Sequence, residues 1–228
     1  MNFEFERNGI IIETIKVDVA DRGHVTNCYL VYDKISKYGI VIDPGYNGDE
    51  IISEIKRNGV TVEYIVLTHC HGDHIGALEA VQKYTNAEVI IHENDLDGLY
   101  DDEKNHSASL GVDVQNIDKN CIITVNDDNV FECGDMELEV MHTPGHTSGC
   151  ICIYERTANV LFTGDTIFMD CYGRTDLKSG SFAQMESSIA KIFKRFKNIE
   201  IYPGHDEYGN IEGAKKRINL LLAIKSRK

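Results

Sequence analysis

The only three prolines of this 228-residue chain each stand directly before a glycine, and each Pro-Gly pair closes a short β-rich run. The runs are Ile40-Val41-Ile42-Asp43, Glu139-Val140-Met141-His142-Thr143 and Ile199-Glu200-Ile201-Tyr202. Proline removes a backbone donor and fixes φ, and glycine opens backbone space closed to other residues. The pair therefore ends a strand and turns the chain. A chain punctuated this way in its first, middle and last parts is organised around strand ends and the loops that follow them.

Between these turns the pattern alternates. Ile10 to Val19, Cys28 to Tyr32 and Ile40 to Asp43 read as strands, and Asp49 to Asn58 as a helix with Ile51, Ile52 and Ile55 on one face. Tyr64 to Thr68 reads as a buried strand, Ile75 to Tyr84 as a helix and Ala87 to Ile91 as a strand. The polar stretch Asp95 to Asp118 fits neither period and is read as a lid or insertion. Strands follow at Val130-Phe131, Met136 to His142, Cys150 to Tyr154, Val160 to Thr163 and around Ile201, with helices at Phe182 to Phe196 and Ile211 to Ile224. Two β-rich halves, each ending in helices, predict an α/β fold: two mixed sheets packed face to face with helices outside, one domain over residues 1–228.

Composition removes several alternatives. Lys and Arg number 23 against 37 Asp and Glu, a net charge of −14, which disfavours a polyanion-binding surface and so predicts no nucleic-acid partner. No apolar run approaches the ~20 residues of a membrane helix, and Met1 to Glu6 lacks a signal-peptide core, so no membrane partner and a cytoplasmic location are expected. The seven cysteines form no CxxC pair and read as buried hydrophobes or free thiols.

Chemistry enters at residues 68–76, Thr-His-Cys-His-Gly-Asp-His-Ile-Gly, directly after Tyr64-Ile65-Val66-Leu67. In extended backbone, residues two apart share a side, so His69 and His71 can grip one ion and Cys70 faces away. Asp73 and His74, at the turn into a helix, reach a second ion. Imidazoles with one carboxylate suit zinc or iron better than magnesium or calcium. Three later loops each follow a strand and offer one more donor: His146, Asp165 and His205. His69, His71 and His146 then serve one metal, and Asp73, His74 and His205 the other, with Asp165 bridging. The shared position left for water marks a catalytic site. The cofactor expected is a pair of divalent metal ions, zinc in the first place, with iron or a mixed iron–zinc pair as alternatives. His24, His92, His106 and His142 read as ordinary surface or hydrogen-bonded histidines, and Lys215-Lys216-Arg217 as a solvated helix face.

From about Asn27 to Arg217 the sequence resembles the metallo-β-lactamase superfamily, and within it the short bacterial glyoxalase II-like (hydroxyacylglutathione hydrolase-like) group. Asn27-Cys28-Tyr29-Leu30-Val31, Val41-Ile42-Asp43-Pro44-Gly45 and Cys171-Tyr172-Gly173-Arg174-Thr175-Asp176 add to the resemblance. It implies an αββα sandwich with the ligand loops along one edge, and Asp43 hydrogen-bonded to a ligand histidine. The expected activity is hydrolysis of a small-molecule thioester or related activated ester by a hydroxide held between two metals. Asp73, Asp165, Tyr172 and Arg174 are the candidate catalytic and pocket residues, Asp73 orienting the hydroxide or moving a proton. Tyr172 would donate a hydrogen bond at the pocket, and Arg174 would order its loop by pairing with a carboxylate. The chain ends soon after His205, whereas the longer glyoxalase II enzymes continue into a helical glutathione-holding domain, so weak discrimination among thiol carriers is expected. The alternative is a persulfide dioxygenase-like oxidoreductase with one iron, held by a trio such as His69, His146 and Asp165.

Overall fold

The computed structural model describes residues 3–18, 25–112 and 116–225. Among them, seven strands form one sheet in sequence order: β1 (Phe3–Arg7), β2 (Ile10–Asp18), β3 (Val25–Asp33), β4 (Tyr38–Ile42), β5 (Thr61–Val66), β6 (Glu88–His92) and β7 (Ile122–Val125). Pairing is antiparallel from β1 to β4 and parallel from β4 to β7. The second sheet holds β8 (Val130–Cys133), β9 (Met136–His142), β10 (Ile151–Glu155), β11 (Val160–Gly164), β12 (Glu200–Pro203) and β13 (Gly209–Asn210), in the order β13-β12-β11-β10-β9-β8. Both sheets are mixed, since β11 and β12 run parallel.

Strand periodicity builds the layers. Ile10, Ile12, Tyr29, Val31, Ile40 and Ile42 of the first sheet face Leu138, Val140, Ile151, Ile153, Val160 and Phe162 of the second, forming the central core. The alternate residues Ile11, Ile15, Leu30, Val41 and Ile65 face outward onto Ile51 and Ile55 of α1 (Gly48–Asn58). Leu78 and Val81 of α3 (Leu78–Thr85) join the same layer. Beneath the second sheet, α6 (Phe182–Arg195) and α7 (Ile211–Lys225) contribute Met185, Ile189, Ile192, Ile211, Ala214 and Ile218 to the other outer layer. Fully burying each of these large aliphatic side chains is worth roughly 1.5–3 kcal/mol, and together they hold the two sheets and their covering helices. The αββα sandwich expected from the sequence is the observed architecture.

Three local expectations change. The helix expected at Ile75 to Tyr84 is broken into α2 (Gly72–Ile75) and α3, because the Ala77 amide donates to the Pro44 carbonyl at 2.9 Å instead of continuing the helical ladder. The stretch from Asp95 is compact: a 3-10 segment (Glu93–Tyr100) leads into α4 (Asp102–Asn105) and α5 (Ser107–Leu110). Edge strands β1 and β7 were not expected, since Ile122–Val125 buries only Val125 and lacks a period-2 signal. His24 and Val19 lie outside the described residues.

Candidate metal centre

The polar loops converge at one edge, after β5, β9, β11 and β12. His69 and His71 follow β5, and α2 carries Asp73 and His74. The turn after β9 supplies His146, the end of β11 leads to Asp165, and the turn after β12 supplies His205. The donor atoms of His69, His71 and His146 lie within 4.8 Å of one another, as do those of His69, His74 and Asp165, and those of Asp73, His74 and His205. Thus all seven residues expected to bind metal are brought together, in the groupings the strand-end loops suggested.

Outer partners fix which ring nitrogen points inward. Thr68 Oγ1 donates to Asp43 Oδ2 at 2.6 Å, so it accepts from His69 Nδ1 at 3.1 Å and leaves His69 Nε2 with a free lone pair. His74 Nδ1 lies 2.9 Å from Asp43 Oδ2, the role the resemblance implied for Asp43. His146 Nδ1 donates to the Arg174 carbonyl at 2.8 Å, and His205 Nδ1 to the Val25 carbonyl at 2.7 Å. Each of these four histidines therefore offers Nε2 to the centre. His71 is turned the other way: its Nδ1 stands 3.1 Å from His69 Nε2. His146 Nε2 is buried with no hydrogen-bond partner among the described residues. Buried imidazole and carboxylate groups converging on a common point fit a metal ion.

The two ends of the cluster differ in charge. Burial, followed by the His74 charge, pushes His69 well below the usual imidazole range. Burial and then His146 push His71 down to about 3. At the other end burial still opposes charge, but carboxylates outweigh it. Asp73, Asp165 and Asp43 raise His74 to about 10. Asp165 and Asp73 raise His205 to about 11. Burial works against ionised Asp165, yet the charges of His205 and His74 hold it well below the ordinary carboxylate range.

Asp165 touches both ends. Its Oδ1 is 3.4 Å from His74 Nε2, and its Oδ2 is 3.5 Å from both His146 Nε2 and His205 Nε2. Asp73 Oδ2 stands 3.3 Å from His205 Nε2 and 3.7 Å from His74 Nε2. A Cβ at Gly204 would fall 2.6 Å from His74 Cε1, so only glycine lets this loop close onto the cluster. Several hydrogen bonds tie the loop to β3. The Asn27 amide donates to the Gly204 carbonyl at 2.7 Å, and Asn27 Nδ2 and the Tyr29 hydroxyl both donate to the Pro203 carbonyl, at 3.0 and 2.5 Å.

A cavity of about 370 Å³ opens over the cluster, walled by Leu110, Phe168 and Leu177 beside His71, Asp73 and His205. Arg174 lines it, but its guanidinium makes a two-point bond to exposed Asp176 at 2.8 and 2.9 Å. Tyr172 is half-buried among the α6 and α7 side chains, with its ring 6.1 Å from that of Phe182, and is not one of the cavity's lining residues. Cys70 packs its thiol against Gly98, away from the cluster.

Two participants had no distinguishing sequence signal. Buried Asp95 accepts from the Cys70 amide at 3.1 Å, Thr147 Oγ1 at 2.7 Å and the Gly149 amide at 2.7 Å, joining the His69–His71 loop to the His146 loop. His106 is half-buried and lines the cavity beside His71. His92 and His142 stack face to face at 3.9 Å, away from the cavity lining.

A two-sheet sandwich with imidazole and carboxylate donors gathered on one edge defines a class of metal-centred scaffolds. The sequence matches the metallo-β-lactamase superfamily over residues 21–205, and the chain belongs to that superfamily. A probable metallo-hydrolase of Methanocaldococcus jannaschii is 36% identical over 197 residues, covering 82% of this chain and 91% of that protein. The hydroxyacylglutathione hydrolase GloC of Haemophilus influenzae is 30% identical, covering 88% of this chain and 94% of that protein. Among solved structures, the B3 metallo-β-lactamase BLEG-1 is similar with a TM-score of 0.78 at 30% identity, covering 84% of this chain and 91% of that one.

Proposed function

We propose that this protein is a metal-dependent hydrolase that cleaves a small thioester or related activated ester at a dinuclear centre. The observation that carries the reading is the pair of donor trios, His69–His71–His146 and Asp73–His74–His205, with Asp165 reaching both. One tetrahedral ion cannot use seven donors, and one iron held by His69, His146 and Asp165 would leave the second trio without a task. Likeness to hydroxyacylglutathione hydrolases over most of the chain supports the thioester assignment.

When bound, the metal pair supplies hydroxide at neutral pH and positive charge that polarises the substrate carbonyl. The protein's own groups do the rest. Asp165 fixes the spacing of the two trios. Asp73, whose Oδ2 faces the cavity-lining His205, orients water and holds its proton. Leu110, Phe168 and Leu177 exclude bulk water and pack the acyl group. A thiolate leaves readily, so the site needs no strong general acid.

The test combines metal analysis with turnover. Two zinc or iron ions per chain, with hydrolysis of S-lactoylglutathione or a short thioester, is the expected result. One iron per chain with oxygen uptake in glutathione persulfide, and no hydrolysis, overturns it.

A further inference from the structure

Four of the five ligand histidines have an outer partner that fixes their tautomer: Thr68, Asp43, and the carbonyls of Arg174 and Val25. His71 has none among the described residues. Once its Nδ1 binds an ion the ring proton sits on Nε2, and that atom is buried without a hydrogen-bond partner among those residues. A buried imidazole N–H with nothing to accept it is costly, and ligand histidines are ordinarily held by such an acceptor.

Outside the ligand set, a further histidine packs against the His71 ring. The His106 ring sits 5.3 Å away, centroid to centroid, at an interplanar angle of 62°. Its own Nε2 is also buried with no hydrogen-bond partner among the described residues. The turn that carries His106 is built with care. Asn105 is fully buried, donates to the Gly98 carbonyl at 2.7 Å and accepts from the Ser107 amide at 2.9 Å. His106 takes φ 58°, a left-handed conformation that costs most side chains energy. Gly72, within the ligand loop, leaves room for this turn: a Cβ there would stand 3.0 Å from Ser107 Cα. The packing thus brings His106 onto the ligand loop at the expense of a strained backbone.

We propose that His106 is a positioning residue for the metal centre: its Nε2 accepts the Nε2–H proton of His71, fixing the tautomer that turns Nδ1 to the ion. The two ring nitrogens left without a partner among the described residues then form one bond after a small ring rotation, His71 donating and His106 accepting, directly or across one water. His106 then links α5 to the ligand cluster, and the segment read as a lid carries part of the centre's support. The inference rests on the dinuclear reading above.

Two variants separate this role from a merely structural one. His106→Gln places a polar atom near the position of Nε2, whereas His106→Asn does not reach it. Asn, however, tolerates a left-handed φ better than Gln. If His106 only shapes the turn, the Asn variant is the better replacement. If His106 holds His71, Gln is the better one. We expect His106→Asn to weaken binding of one of two zinc ions about tenfold or more, measured by chelator competition, and His106→Gln about threefold or less. In the proton NMR spectrum of zinc-loaded wild-type protein, all five ligand imidazoles should show slowly exchanging N–H signals. That of His71 should be lost in His106→Asn while the other four remain. Two zinc ions bound with wild-type affinity by His106→Asn, and five signals kept, overturn the proposal alone. Wild-type protein that binds no zinc or only one overturns the dinuclear reading and this proposal with it.

Discussion

The two ends of the cluster are built from the same residue type yet arranged to opposite electrostatic effect. At the His69–His71–His146 end, imidazoles crowd one another, and His71 is driven down to about 3 by burial and His146. At the Asp73–His74–His205 end, the same side chain is raised to about 10 in His74 and about 11 in His205, where carboxylates outweigh burial. The metal-free protein at neutral pH thus presents one donor set in which His69 and His71 are neutral and one whose two histidines are raised toward the charged form. Metal ligands must be deprotonated, so one end offers its lone pairs outright and the other exchanges protons for an ion. The difference teaches that two similar-looking trios need not bind alike.

Removing the group that joins the two ends has the largest expected effect. Asp165→Asn keeps the shape of the side chain but removes its charge and one of its two donor oxygens, so the side chain no longer serves both trios. Turnover should fall roughly a thousandfold or more, as should that of His71→Ala. The sandwich core lies in other layers, and circular dichroism should stay native. Thioester turnover near wild type in either variant would break the assignment of the centre.

Acidity should separate the ends next. The sign follows from the direction of each shift. His74 and His205 are raised, so their contribution to metal-free stability is complete below the unfolded value of 6.5 and is lost as pH climbs through about 10 and about 11. Bound metal requires both neutral. Affinity at this end should therefore fall with acidity by about a hundredfold per pH unit between pH 8 and 6.5, the slope of two displaced protons. His71, at about 3, displaces none in that range. Calorimetric zinc titrations in buffers of different ionisation enthalpy should show roughly two protons released with one ion. Equal proton release for both ions would erase the contrast.

Asp43 sharpens the comparison at a single point. It sits at φ 51°, a strained place for an aspartate, and serves three groups: the Thr68 amide at 2.8 Å, Thr68 Oγ1 at 2.6 Å and His74 Nδ1 at 2.9 Å. Asp43→Asn removes the charge that helps raise His74 and leaves an amide facing a backbone N–H. Loss of such an outer partner typically costs about 10–100-fold in metal affinity. The loss should concentrate on the carboxylate-rich ion, read by chelator competition. An equal loss at both ions would show that Asp43 acts chiefly through Thr68 and His69.

These contrasts explain what the sequence made legible. His69, His71, Asp73 and His74 are contiguous, and strand geometry alone separates them into two groups. His146, Asp165 and His205 each follow an apolar run and a glycine-containing turn, so their placement at a sheet edge was readable. The outer partners were not. Two are backbone carbonyls, of Val25 and Arg174, which any residue type supplies. Asp95 and His106 come from a segment without periodicity, where only tertiary packing decides which polar side chain faces the cluster. The split of Ile75 to Tyr84 into two helices was hidden for a similar reason, because its cause is the distant Pro44 carbonyl.

Arg174 gives the smallest expected effect and the finest test of that distinction. Two parts of one residue have different jobs. Its carbonyl accepts from His146 Nδ1 at 2.8 Å and so helps set the histidine-rich end. Its guanidinium points along the cavity rim to Asp176, with the two side chains 61% and 70% exposed. An exposed pair of this kind contributes only about 0–1 kcal/mol, screened by water and salt. Arg174→Ala removes the guanidinium and keeps the carbonyl, so the histidine-rich end should bind its ion unchanged, with thioester kcat/KM within about twofold of wild type. Arg174→Pro keeps the carbonyl too but fixes φ, and is the harsher test of whether the backbone is what matters. A tenfold loss in Arg174→Ala, about 1.4 kcal/mol, confined to KM would mean that the guanidinium leaves Asp176 to meet substrate. The same loss in zinc affinity would mean that the loop, and His146 with it, depends on the ion pair. The expected result is neither, because the bond that matters to His146 belongs to the main chain.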